Sequence, residues 1–263
     1  MTTTIALAGK GGTGKTSIAA LLIRVLIERR AGSILAIDAD PASNLHLALG
    51  LPLGRTVGDI REETLQTAPG GTLSTGVARQ DWLDHAVRMA LEEGDEVDLL
   101  AMGRPEGPGC YCAVNHMLRQ IIDALGRAYD YVVIDNEAGM EHLSRRTTRD
   151  VDILLLVSDP TLRGILAASQ MARLAERLHI HIERTYLLLN RVADPLPQPL
   201  QQAITETGLE LAGVVPFDPI LAEFDGSGRP IAELPAISAA YQAVYNLAER
   251  LLGLHVPAAR QCG

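Results

Sequence analysis

The sequence predicts an α/β protein, a mostly parallel sheet with helices on both faces. Three observations predict it. Short, nearly continuous apolar runs recur along the chain and alternate with longer stretches of helical spacing. Several of these runs end in a carboxylate, at the strand end where open α/β sheets hold their ligands. The first run leads into a glycine loop, Gly9-Lys10-Gly11-Gly12-Thr13-Gly14-Lys15-Thr16, which fits G-x-x-x-x-G-K-[ST] and opens a helical stretch.

Thr4 to Ala8 is the first strand, and Ser17 to Leu26 carries the helical pattern that follows the loop. Loop N–H groups freed of side chains can surround phosphate oxygens, and the positive end of the helix dipole faces them. Lys15 then reaches the outer phosphates and Thr16 holds Mg²⁺, with Ser17 extending the cradle into the helix. Ser33 to Asp38 is a buried strand, and Asp40-Pro41-Ala42-Ser43-Asn44 turns into a short helix over Leu45 to Leu49. From Gly50 to Gly94 the pattern weakens and predicts peripheral helices and loops. Val97 to Met102 is a third strand, running into a Gly/Pro-rich segment that carries Cys110-Tyr111-Cys112; a helix can begin near Ala113. Tyr131 to Asp135 is a fourth strand. Further alternation follows: strand Asp152 to Val157, helix Thr161 to Leu178, strand Arg184 to Leu189, helix Pro197 to Thr207, strand Leu211 to Val215, a short helix beyond Asp218, and an amphipathic helix from Ala236 to Leu252. One domain over 1–263 is expected, with the tail 253–263 frayed.

The chain of 263 residues is 47% apolar and carries a net charge of −9, which argues against partners held by clustered Lys and Arg, namely nucleic acid and anionic membrane surfaces. Arg24, Arg29 and Arg30 break the longest apolar run below a membrane span. Met1-Thr2-Thr3-Thr4 leads straight into a strand, without room for a signal peptide, and three cysteines fit a reducing compartment. A cytoplasmic location is expected.

The strand-end acids and the loop belong together. Asp135 closes an apolar strand where a Walker B acid binds Mg²⁺ through water, and Gly139 stands where a backbone N–H senses a γ-phosphate. On its own a strand-end Asp is more often a helix cap; the loop reverses that. Lys10, a second lysine inside the loop, cannot easily fold back onto phosphates that the loop already encloses. It is better placed to reach a nucleotide held by a second subunit. In these features the chain resembles the deviant Walker A P-loop NTPase family of MinD, ParA and the nitrogenase iron protein, in which a signature lysine bridges an ATP-sandwiched homodimer. That resemblance implies ATP hydrolysis with Mg²⁺, with Lys10, Lys15 and Asp40 catalytic. It makes Asp38-Ala39-Asp40-Pro41 the switch I segment, in which Asp40 positions the attacking water, and Asp135 to Gly139 switch II. It also makes Leu189-Asn190-Arg191 and Val215-Pro216-Phe217-Asp218 the two adenine-contacting segments, with Asn190, Pro216, Phe217 and Asp218 as the contacts.

Two of the three cysteines stand two residues apart at Cys110 and Cys112. One such pair supplies half of a four-coordinate site, and a two-fold axis doubles it. Four thiolates can hold Zn²⁺, Ni²⁺, Cu(I) or an iron–sulfur cluster. The Gly103 to Cys112 and Asp135 to Arg146 segments resemble those of the CooC-type ATPases, accessory proteins of nickel insertion into carbon monoxide dehydrogenase and the related acetyl-CoA synthase. The resemblance implies Ni²⁺ or Zn²⁺ at Cys110 and Cys112 across a homodimer, and one of those nickel enzymes as client. Two alternatives stay open: a MinD/ParA-like positioning ATPase and an iron–sulfur cluster carrier. Leu247 to Gly263 has few basic residues and contains Pro257, which disfavours a membrane-cycling helix.

Overall fold

In the computed structural model, residues 2–67, 88–103, 125, 128–137, 150–177, 181–193 and 195–254 are described. One sheet of eight strands runs through them: β1 (Thr3–Ala8), β2 (Ile34–Asp38), β3 (Leu91–Glu92), β4 (Asp98–Ala101), β5 (Tyr131–Asp135), β6 (Asp150–Ser158), β7 (His181–Val192) and β8 (Glu210–Pro216). Their order is β3-β4-β2-β5-β1-β6-β7-β8. All neighbours are parallel except β3, which pairs antiparallel with β4 through Leu91↔Leu100. The helices are α1 (Lys15–Glu28), α2 (Leu45–Leu49), α3 (Val57–Thr67), α4 (Leu162–Arg177), α5 (Gln198–Thr207), α6 (Pro219–Ser227) and α7 (Ala239–Leu252), with a 3-10 turn at Ile231–Glu233.

Alternate strand residues feed two cores. Ala6, Leu35, Ile37, Val132, Ile134 and Leu154 face Val57 and Ile60 of α3, Ile165 of α4 and Ala203 of α5. Ile5, Leu7, Ala36, Val133 and Leu155 face α1 and α7. Strands covered on both faces need apolar residues at every position, which is why β1, β2 and β5 read as unbroken runs. Helix α1 is apolar nearly all round because the sheet, α2, the 3-10 turn and α7 all pack on it. Arg24 of α1 and Arg29, just past its end, lie over the rings of Tyr241 and Tyr245 of α7, and Arg24 also donates to the Leu234 carbonyl.

Two elements give the peripheral stretch 50–94 its form, the expected helix and a short unexpected strand. Helix α3 is opened by Thr56 and Asp59: Thr56 N donates to Asp59 Oδ2 at 2.8 Å and Asp59 N to Thr56 Oγ1 at 3.2 Å. Strand β3 forms an edge rung too short to leave a periodic pattern. Strand β7 runs three residues further at each end than expected, its first residues being mostly exposed. Among the described residues, no helix is long and apolar enough to cross a membrane.

Candidate functional site

Residue pairing across the sheet sets the site. Asp38 and Asp135 are direct partners on the adjacent strands β2 and β5, and Leu7, two residues before Gly9, pairs with Asp135 on the other side. The glycine loop and both acids therefore leave the sheet at one level. Gly9 passes so close to β6 that a Cβ there would meet the Val157 carbonyl oxygen at 2.2 Å. Gly14 takes φ 86° as the N-cap of α1, and a Cβ there would lie 2.4 Å from Asn190 Nδ2.

The two lysines of the loop face differently. Lys15 is buried, with Nζ 3.3 Å from the Lys10 carbonyl, which also accepts from Thr13 Oγ1 at 3.0 Å. Burial lowers the Lys15 pKa, opposed by the charges of Asp135, Asp40 and Glu137. The Lys10 side chain is exposed, as are Gly11 and Gly12. The first N–H groups of α1 have no intrahelical acceptor and open, with Thr16 and Ser17, on a cavity of about 470 Å³. Lys15, Asp40, Leu47, Arg191 and Arg229 also line it.

Thr16 Oγ1 donates to Asp135 Oδ2 at 2.5 Å. Among the described residues, Asp135 Oδ1 is a buried oxygen with no hydrogen-bond partner. A buried carboxylate oxygen without a donor is costly, and a divalent cation beside the hydroxyl of Thr16 would relieve it. The donor set therefore fits Mg²⁺, held by Thr16 and by Asp135 directly or through water. Burial pushes the Asp135 carboxyl up to about 6; the Thr16 bond and Lys15 work against that rise, and Asp40 adds to it.

Asp38, which the motif reading carries only as the first residue of the Asp38-Ala39-Asp40-Pro41 segment, stands beside Asp135 at the site. It is 1% exposed, accepts from Asp40 N at 3.0 Å through Oδ1 and from Leu45 N at 2.8 Å through Oδ2. One carboxylate thus ties both ends of the turn that presents Asp40, while Asp40 Oδ1 accepts from Ala42 N at 2.8 Å. Burial pushes Asp38 up to about 7, and Asp135 and Asp40 add to that against the bonds from Leu45 and Asp40 N–H.

The two segments expected at the base are brought together: Phe217 N donates to the Val192 carbonyl at 3.0 Å. Phe217 is 57% exposed and follows Pro216 at the end of β8. Asn190 is buried, and its Nδ2 donates to the Thr13 carbonyl at 2.8 Å, so it supports the loop from behind. Arg191, which the sequence reading carries only within the adenine-contacting segment, takes φ 59° and donates from Nη1 to the Gly12 carbonyl at 3.0 Å. No residue type in the sequence flags that conformation, which costs an arginine about 1–2 kcal/mol.

Asp218 is spent on structure. Its Oδ1 accepts from Ile220 N at 2.8 Å and Leu221 N at 3.4 Å, capping α6, while Oδ2 accepts from Ser238 Oγ and from Ala240 N at 3.0 Å, the start of α7. Burial alone would raise its pKa, but these bonds hold it below the ordinary carboxylate range. Asp218→Ala is expected to cost about 2–4 kcal/mol in urea titrations, from a lost cap and stranded buried donors. Because the folded value is depressed, the stabilisation is complete above the unfolded value near ~4 and fades as pH falls through the folded one. The gap between wild type and variant should narrow over that acid range.

Gly139, Cys110 and Cys112 lie outside the described residues, as does the helix expected near Ala113. Among the described residues there is no group of three or more His, Cys, Asp or Glu able to hold a metal ion.

Comparison with known proteins identifies the family. The family described as the CobQ/CobB/MinD/ParA nucleotide binding domain matches residues 4–231. An uncharacterized ATP-binding protein of Methanocaldococcus jannaschii is 42% identical over 248 residues, 94% of this chain and 98% of its own length. The carbon monoxide dehydrogenase accessory protein CooC of Rhodospirillum rubrum is 31% identical, covering 88% of this chain and 89% of that one. The septum site-determining protein MinD of Pyrococcus horikoshii, solved with Mg-ADP, shares the fold with a TM-score of 0.69 at 24% identity, over 95% of this chain and 96% of that one. The chain belongs to the CobQ/CobB/MinD/ParA family of nucleotide-binding P-loop proteins.

Proposed function

We propose that this chain is an ATPase that closes into a homodimer around ATP and opens after hydrolysis, and that this cycle serves the maturation of a nickel enzyme. The observation that carries the reading is the opposite placement of the two loop lysines. Lys15 is buried against the loop's own carbonyl, where it meets the phosphates of its own nucleotide. Lys10 is exposed. In this reading the exposed cation serves the phosphates that a second copy presents.

In the closed dimer Lys15 and the α1 N-terminus hold the phosphates, and Lys10 of each subunit neutralises charge that develops on the other's γ-phosphate. Asp40, fixed by Asp38, orients the attacking water. Thr16 and Asp135 would hold Mg²⁺, which would supply charge neutralisation for the phosphates. Loss of the γ-phosphate releases the Asp40 segment and the Gly139 segment. On the base side, the exposed ring of Phe217 beside Pro216 offers adenine a flat apolar contact, and Asn190 supports the loop next to it.

The cargo in this reading is one Ni²⁺ or Zn²⁺ per dimer, held by Cys110 and Cys112 of both subunits. Support comes from the spacing of the pair and from 31% identity with an accessory protein of carbon monoxide dehydrogenase. Carbon monoxide dehydrogenase or acetyl-CoA synthase is then the client, in the cytoplasm. Equilibrium dialysis with a non-hydrolysable ATP analogue should return about one metal per dimer, and Cys110→Ser/Cys112→Ser should lose it. Unchanged metal binding in the double variant removes the cysteines from the mechanism. Iron with sulfide in place of nickel would point to a cluster carrier; co-sedimentation with liposomes or DNA would point to a positioning ATPase.

A further inference from the structure

Strand β7 ends beside the glycine loop, and its pairing with β8 slips between Leu189 and Val192. The slip frees Asn190 and Arg191 from the regular ladder. Asn190 Oδ1 accepts from Arg191 N at 2.9 Å, and Arg191 enters the left-handed region at φ 59°. That backbone conformation is unfavourable for an arginine, so it needs a compensating contact. The contact is on the loop: Arg191 Nη1 meets the Gly12 carbonyl at 3.0 Å, one peptide before the Thr13 carbonyl that Asn190 Nδ2 holds at 2.8 Å.

A planar trans peptide points its N–H away from its C=O. Fixing the Gly12 and Thr13 carbonyls on the β7 side therefore turns the Thr13 and Gly14 N–H groups to the other side. Thr13 N makes only a long 3.4 Å bond there, to the Lys10 carbonyl. An anionic phosphate oxygen is a stronger acceptor than that carbonyl and would take its place. The two supports differ in kind. Asn190 is buried, whereas Arg191 is exposed and lines the cavity beside Lys15 and Thr16.

We propose that Arg191 is a positioning residue for the nucleotide: its guanidinium latches the Gly12 carbonyl so that the loop's N–H groups are set for phosphate before ATP arrives. The inference rests on the reading of the glycine loop as the nucleotide site. The latch acts on the loop common to both nucleotides, so it contributes equally to ATP and ADP binding and leaves the hydrolytic step to Asp40 and the lysines.

Calorimetry with Mg-ATP and Mg-ADP on wild type, Arg191→Gly and Arg191→Lys tests it, together with ATP turnover and thermal unfolding without nucleotide. Glycine relieves the backbone while removing the latch. Arg191→Gly is expected to weaken both nucleotides about tenfold, equivalent to about 1.4 kcal/mol. Its KM should rise in step, with kcat at saturation unchanged and the unfolding temperature of the empty protein equal to wild type or higher. Arg191→Lys, which keeps a cationic donor, should recover most of the affinity. Equal nucleotide affinity in wild type and Arg191→Gly overturns the latch alone. A loss of affinity matched by a loss of apo stability, with lysine no better than glycine, also overturns it. Failure of the wild type to bind either nucleotide would instead overturn the reading of the loop.

Discussion

Lys10→Ala is expected to lower kcat for ATP by about 10³-fold, the scale of a charge supplied in trans to a phosphoryl-transfer transition state. The same variant should bind ADP within about twofold of wild type, because nothing within the loop depends on the side chain. The structure separates the two roles. It is the Lys10 carbonyl, a backbone group that survives substitution, that Lys15 and Thr13 use. The Lys10 ammonium lies outside on an exposed loop. Sedimentation with a non-hydrolysable ATP analogue should show wild type as a dimer and Lys10→Ala as a monomer. A variant that dimerises and turns over ATP normally would falsify the bridging role.

Asp40→Ala is expected to lower kcat by about 10²–10⁴-fold, the usual range for a group that positions or activates a nucleophile. Unlike Lys10→Ala, it should still form the ATP-bound dimer and accumulate in it. The reason lies in Asp38: the turn from Asp40 to Leu45 is anchored by the Asp38 carboxylate at Asp40 N and Leu45 N, both backbone groups that remain in the variant. The loss should therefore be confined to the chemical step. Single-turnover rates measured with labelled ATP, beside dimer fractions, distinguish the two variants. Hydrolysis at the wild-type rate would exclude Asp40 from its role.

The parts of the fold that the sequence makes legible are those where one physical demand acts on every residue. Strands β1, β2 and β5 are covered on both faces, so Ile5 to Ala8, Ile34 to Ile37 and Val132 to Ile134 are all apolar and stand out. The glycine loop is legible for the same reason, since close approach to Val157 and positive φ at Gly14 leave few choices of residue. Helix α3 escaped the periodic reading because only Val57 and Ile60 are buried among its described side chains, although Thr56 and Asp59 carry a capping signal. Strand β3 has two residues, too few for any period. The contact that Arg191 makes with the loop is hidden for a different reason. The arginine's conformation follows from a register slip between β7 and β8, a property of two strands together that neither sequence encodes alone. Asp218 shows the limit of a motif: it stands in the segment expected on the base side, yet its carboxylate is occupied by α6 and α7.

That clamp bears on how the molecule is made. Asp218 gathers the end of β8, α6 and the start of α7, and α7 lies along α1, whose first turn is the floor of the phosphate site. A nascent chain that already carries the glycine loop, Asp38 and Asp135 still shows the ribosome-side environment the bare flank of α1 until the residues through Leu252 have emerged. During that interval the flank is open to chaperones and to aggregation. The earliest-made helix is thus sheltered by one of the latest.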